Sequence, residues 1–143
     1  MTVRLFAALL AMALCAIAGN AEARSKAAAY LIGQELAKAC DGLGGGGRID
    51  DEAVIERDLT GNGKADLIID HGGIQCSGEQ RSGYCGIRAC SVLIYVRKGR
   101  LLKLAEEILS IGVTVGKGRR PGIELVGHSF QSTTIRWNGR KFR

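Results

Sequence analysis

Apolar positions along this chain follow three successive spacings, and each predicts a different element. From Leu5 to Ala18 every residue is apolar. From Ser25 to Cys40 the spacing becomes helical: Ala28, Ile32, Leu36 and Cys40 recur every fourth residue, with Ala29 and Ala39 beside them and Gln34, Glu35 and Lys38 as polar positions. Gly42 is placed to end that helix in a left-handed conformation. Gly44 to Gly47 follow as a tract without side chains, which reads as a flexible connector.

Beyond Ala53 the pattern is one of short strands and turns. Val54–Arg57, Leu67–Asp70 and Ser91–Arg97 are strand segments, the last rich in β-branched and aromatic residues. Lys98-Gly99 turns that strand into Leu101–Ala105, while 106–109 suits either a continued strand or one helical turn. Val113–Val115, Ile123–Val126 and Thr133–Trp137 complete the series, and Asn138-Gly139 is a hairpin turn signal. One helix followed by hairpins predicts an α+β fold, an N-terminal helix packed on an antiparallel β-sheet of hairpins, with two disulfides. Residues 24–47 would supply the helix and glycine-rich connector and 48–143 the β region, together forming one domain.

The apolar run changes how the remainder is read. Preceded by Arg4 and followed by the small-residue triplet Ala21-Glu22-Ala23, it has the layout of a secretory signal peptide spanning residues 1–23, with cleavage expected before Arg24. It is shorter than the roughly 20 residues that span a bilayer, so no membrane span is expected in the mature chain. A periplasmic or secreted location follows. There, Cys40, Cys76, Cys85 and Cys90 form an even set in an oxidising compartment, which predicts two bridges. If Cys76 joins Cys90, then Cys85 reaches Cys40; if Cys85 joins Cys90, then Cys40 joins Cys76. Spacing leaves both open, and either ties the helix to the sheet. Neither a zinc site nor thioredoxin-type chemistry is indicated, since both favour a Cys-x-x-Cys spacing that is missing.

The formal net charge of +6 is unevenly distributed. Acidic residues outnumber basic ones ten to six from Arg24 to Glu79, and basic outnumber acidic thirteen to three from Gln80 to Arg143. Arg97, Lys98 and Arg100, then Lys117, Arg119 and Arg120, then Arg140 and Lys141 fall in three turn regions and form a candidate patch for an anionic partner. Tyr95, Trp137 and Phe142 lie among them, the mixture used for stacking on single-stranded nucleic acid. Export makes nucleic acid a disfavoured partner; an acidic protein or an anionic envelope polymer fits better. The chain is expected to be a monomer.

The sharpest chemical motif runs from Asp58 to Leu67. Asp58, Thr60, Asn62 and Asp66 carry side-chain oxygens at positions 1, 3, 5 and 9, Gly63 stands at position 6, and Lys64 offers its carbonyl at position 7. This spacing suits Ca²⁺, which gathers six to eight oxygens. The loop resembles those of dockerin modules and of FG-GAP (VCBS)-type repeats, whose aspartate loop runs directly into a strand as this one runs into Leu67-Ile68-Ile69. The resemblance implies a Ca²⁺ cofactor. It departs from that pattern at Thr60, and Ile69 occupies the place of an EF-hand glutamate. With two carboxylates, affinity would fall near ~10⁻⁴–10⁻³ M. A plain turn capped by Asp58 and Asp66 is the other reading of the same residues.

Histidines offer little organised chemistry. His71-Gly72-Gly73 is similar to the oxyanion loop of some esterases, but Gly127-His128-Ser129-Phe130-Gln131 lacks the last glycine of a nucleophile elbow. The aspartate turn, the cysteine-rich excursion and a terminal strand like Ile135–Gly139 together resemble uncharacterised small secreted proteins of Gram-negative bacteria, which implies export and fold without an activity. The expected function is an exported, disulfide-stabilised, non-enzymatic binding or structural module. An inhibitor of a secreted hydrolase such as lysozyme is the first alternative. A small hydrolase using His71 or His128 with Asp66 or Asp70 is the second.

Overall fold

The computed structural model describes residues 23–143. Apart from Ala23, the expected signal peptide lies outside the described residues. The expected α+β architecture is present: the described residues form one α-helix and antiparallel sheets and contain two disulfides.

Helix α1 (Lys26–Ala39) begins where Ser25 Oγ accepts the N–H of Ala28 at 3.2 Å, satisfying one of the free donors of the first turn. Gly42 has the expected left-handed backbone, with φ +72°. The buried stripe is rotated from the one the fourfold spacing predicts: Ala28, Glu35 and Ala39 face inward, with Leu31, Ile32 and Leu36 half-buried. Glu35 therefore belongs to the interior rather than to the solvent face.

Nine strands follow: β1 (Gly47–Ile49), β2 (Val54–Arg57), β3 (Asp66–Asp70), β4 (Ile74–Cys76), β5 (Cys90–Lys98), β6 (Leu101–Ser110), β7 (Val113–Val115), β8 (Ile123–Val126) and β9 (Ser132–Ile135). The segment 106–109 continues β6 as a strand. The β1–β4 ribbon was not legible, because Gly47 reads as connector and β4 is only three residues long. Gly47 is needed there: a Cβ at this position would lie 2.6 Å from the Cys40 sulfur.

A four-stranded antiparallel sheet, in the order β2-β3-β5-β6, forms the middle of three layers. Side chains on successive residues of a strand point to opposite faces. Leu67 and Ile69 of β3 and Leu93 and Tyr95 of β5 pack with Ala28, Leu31 and Ile32 of the helix. Ile68, Val92, Ile94 and Val96 point the other way, onto the β7-β8-β9 sheet through Ile123, Leu125 and Ile135. Both faces of β3 and β5 are thus apolar, which explains their unbroken hydrophobic runs. Replacing a fully buried residue such as Ile94 with Ala should cost about 3–4 kcal/mol.

The bridges are Cys40–Cys76 and Cys85–Cys90, the second of the two expected pairings. The first joins the end of α1 to β4, and the second closes the loop before β5. Among the described residues no helix is long and apolar enough to cross a membrane.

Candidate functional site

Two regions concentrate polar chemistry. The first is the end of the sandwich where the aspartate loop, the β5–β6 turn, the β7–β8 turn and the C-terminal turn assemble. Asp58 caps the loop from within: Oδ1 accepts the backbone N–H groups of Thr60 (3.1 Å), Gly61 (2.7 Å) and Asn62 (3.2 Å), and Oδ2 accepts that of Gly63 (2.7 Å). Burial pushes the Asp58 carboxyl up, but these four N–H bonds together outweigh it and hold the group below its ordinary value. Asp66 is wholly buried. Its Oδ2 accepts the N–H groups of Leu59 (2.8 Å) and Thr60 (3.1 Å), and its Oδ1 accepts that of Arg97 (2.8 Å), fastening the loop to β5. Asn62 Oδ1 accepts the N–H of Lys64 at 2.8 Å.

These contacts test the fit of a calcium ion. Coordination needs oxygens converging on an open centre. Here both Asp66 oxygens are buried against N–H donors, Asn62 is turned onto its own backbone, and two loop carbonyls face cations. Arg119 Nε donates to Gly61 O at 3.0 Å, and Arg120 Nε donates to Thr60 O at 3.2 Å. Among the described residues no group of three or more His, Cys, Asp or Glu side chains is arranged to hold a metal ion. The donor set of Asp58, Thr60, Asn62, Lys64 and Asp66 fits Ca²⁺ poorly, and the capped turn describes it better.

Gly61 makes the closest approach between loop and hairpin. Its φ is +77°, and a Cβ there would lie 2.9 Å from Arg120 Cγ and 3.2 Å from the Arg119 carbonyl. From the other side, Arg57 Nη1 donates to Gly116 O at 2.9 Å. Arg136 Nη1 donates to Arg120 O at 3.3 Å, and Lys98 Nζ lies 6.0 Å from the centroid of the Trp137 ring. The terminal hairpin forms as expected: Trp137 pairs with Phe142, and Gly139 has φ +102°.

Of the eight residues expected to form the anionic-partner patch, the structure separates one. Arg97 is largely buried, with Nη2 3.5 Å from Glu56 Oε1 and 3.1 Å from Ser25 Oγ, so it joins the helix start to the sheet. Lys98, Arg100, Lys117, Arg119, Arg120, Arg140 and Lys141 are exposed. Among the described residues none of those seven has a carboxylate within 4.0 Å.

The second region lies under the C-terminal half of α1, and most of it escaped sequence reasoning. Glu35 Oε1 accepts from Lys38 Nζ at 2.8 Å and from the Tyr95 hydroxyl at 3.2 Å. Beyond it stands His71, also buried, whose Nδ1 is 2.8 Å from Ser82 Oγ and whose Nε2 is 3.5 Å from Glu35 Oε2. That last separation is within electrostatic reach, yet Nε2 makes no hydrogen bond. Burial lowers the affinity of His71 for a proton more than the nearby Glu35 and Asp70 carboxylates raise it, so the ring is held neutral. Burial, reinforced by Glu35, pushes the Tyr95 hydroxyl far above its usual 10.0. Ser82 is delivered by the cysteine loop, where Gly83 N–H caps the Ala39 carbonyl at 2.7 Å. The Tyr84 ring meets His71 edge-on at 5.0 Å.

His71 thus faces Glu35 and Ser82, not Asp66 or Asp70, whose oxygens bind backbone N–H groups. His128 is exposed on the β8–β9 turn. The missed Glu35 had a signal: positions 28, 32, 35 and 39 share one helical face. Ser82 had none, since its place depends on the loop fold. No protein-family model, curated protein or solved structure matches this chain.

Proposed function

We propose that this protein is an exported binding module whose basic end contacts an anionic partner, either an acidic protein surface or an envelope polymer. The observation that carries this reading is the assembly of three sequence-distant basic turns around the aspartate loop, with seven exposed cations and no carboxylate partner for them among the described residues. Such a surface attracts polyanions through its summed field, and the attraction is screened by salt. Arg119 and Arg120 spend Nε on the loop and are exposed residues, and a guanidinium has further donors that suit carboxylate, sulfate or phosphate groups. The two disulfides support an oxidising compartment for this encounter.

Retention on a sulfated polysaccharide matrix tests the proposal. The variant in which Lys98, Arg100, Lys117, Arg140 and Lys141 are all replaced by Gln removes charges that the loop scaffold does not use. Elution at much lower salt than the parent, with an unchanged circular dichroism spectrum, is the expected result. Equal elution of the two proteins refutes the basic end as a docking surface. Determination of the N-terminal residue of natively exported material tests the compartment.

A further inference from the structure

Helix α1 does not cover the whole of the sheet face on which it lies. The strand β6 stands at the sheet edge, and its helix-side residues Leu104 and Leu109 are 52% and 60% exposed. Between Leu104 and the helix runs a cavity of about 330 Å³, walled by Leu31, Leu93, Tyr84 and Tyr95, rimmed by Lys38 and Glu107, and floored by Glu35 and His71. Its size and its mixture of apolar walls with a few convergent polar groups are those of a small-molecule site. We propose that this groove binds a small organic ammonium ion carrying an apolar or aromatic body, with the ammonium bridging Glu35 Oε2 and His71 Nε2 from the groove side.

The floor supplies the first argument. Glu35 Oε1 is engaged by Lys38 and Tyr95, whereas Oε2 has only His71 near it. The imidazole is 1% exposed and its Nε2 lacks a hydrogen-bond partner. A buried polar atom left in that state is costly. In the tautomer whose Nδ1–H donates to Ser82 Oγ, Nε2 is an acceptor 3.5 Å from a second acceptor, Glu35 Oε2. A ligand nitrogen bearing several hydrogens meets both at once.

Charge supplies the second. Glu35 and Glu107 face a single cation, Lys38, so the groove is negative in sum. The Glu107 carboxylate, held by a 2.9 Å bond from Ser91 Oγ, helps to keep Lys38, His71 and Tyr95 protonated at higher pH than they otherwise would be. Glu107 thus adds negative potential at all three groups. An anion would meet two carboxylates there. A purely apolar ligand would leave the floor unpaired. Tyr84 and Tyr95 offer aromatic surface that also favours a cation.

Calorimetric titration with three compounds of one shape separates the alternatives: 2-phenylethylammonium, 2-phenylethanol and 3-phenylpropionate. The ammonium should bind and the carboxylate should not. Glu35→Gln should weaken the ammonium about tenfold or more, the usual effect of losing a charge-assisted hydrogen bond. Should Glu35→Gln fail to fold, Leu104→Arg provides the second arm, since it adds a cation at the exposed rim and leaves the floor intact. It should abolish binding while preserving the circular dichroism spectrum. Phenylpropionate binding as well as the ammonium, no saturable ammonium binding, or undiminished binding in Leu104→Arg overturns the proposal. Retention on the polyanion matrix is independent of all three results.

Discussion

Arg120 Nε donates to the carbonyl of Thr60, 60 residues away in the chain, and with that 3.2 Å bond the β7–β8 turn is laid against the aspartate loop. In a calcium loop of this spacing Thr60 would offer its side-chain oxygen to the ion; here its carbonyl is held by a guanidinium. Charge complementarity at this end of the molecule is thus internal: carboxylates collect backbone N–H groups, and arginines collect backbone carbonyls.

Calcium should therefore leave the melting temperature unchanged at millimolar concentration, as read by differential scanning fluorimetry with and without chelator. Asp58→Ala, in contrast, should destabilise the protein by about 2–3 kcal/mol, because four N–H groups lose their acceptor together. A calcium-dependent rise in melting temperature that Asp58→Ala abolishes would return the loop to the ion-binding class.

The same carboxylate should contribute to acid sensitivity. Its proton affinity is lower in the folded than in the unfolded chain, so its stabilisation is present above the ordinary value of 3.8 and is lost as pH falls through the lower folded value. Comparing parent and Asp58→Asn by urea unfolding across that range should show the parent's advantage shrinking as acidity increases.

His71 should act at milder pH. It is held neutral in the fold and titrates near 6.5 when exposed, so the unfolded chain binds the extra proton first. The contribution to stability is full above 6.5 and declines as pH falls below it. His71→Gln should flatten this part of the stability profile, and a parent and variant with parallel profiles would contradict the assignment.

Gly61→Ala is expected to cost about 1–2 kcal/mol, from a left-handed backbone angle and a methyl group pressed on Arg120. Gly63→Ala serves as control: it shares the positive φ but has open space around its Cβ position. Chemical denaturation of the two variants should rank Gly61→Ala as the more damaging.

The bridges should differ in weight. Cys40–Cys76 spans 36 residues and Cys85–Cys90 spans 5, so the chain-entropy argument gives about 4 and about 2 kcal/mol. Pairwise replacement with Ala, followed by urea unfolding, should reproduce that order.

Alternating and helical spacings made α1 and most of the strands legible, since β2, β7 and β8 fall where the apolar runs place them. What escaped is whatever depends on distant contacts. The β1–β4 ribbon has too few residues to show a period, and it is held by a bridge whose partner spacing cannot reveal. Glu35 lay on the correct helical face, but its charge argued for solvent; only Tyr95, Lys38 and His71 around it explain its burial. The aspartate spacing correctly indicated a tight loop. It could not tell whether oxygens would gather around a cation or around amide hydrogens, because both use the same residue types. Arg97 was grouped with its exposed neighbours, yet strand alternation sends it to the helix side, where Glu56 receives it.

Strand β5 is shielded above and below and has a neighbour along each edge. The amides of Leu93 to Val96 lie in the sheet plane between β3 and β6, so they are freed only when a neighbouring strand separates. Their deuterium uptake should consequently track complete denaturation rather than local breathing, giving the molecule an internal gauge of its global stability.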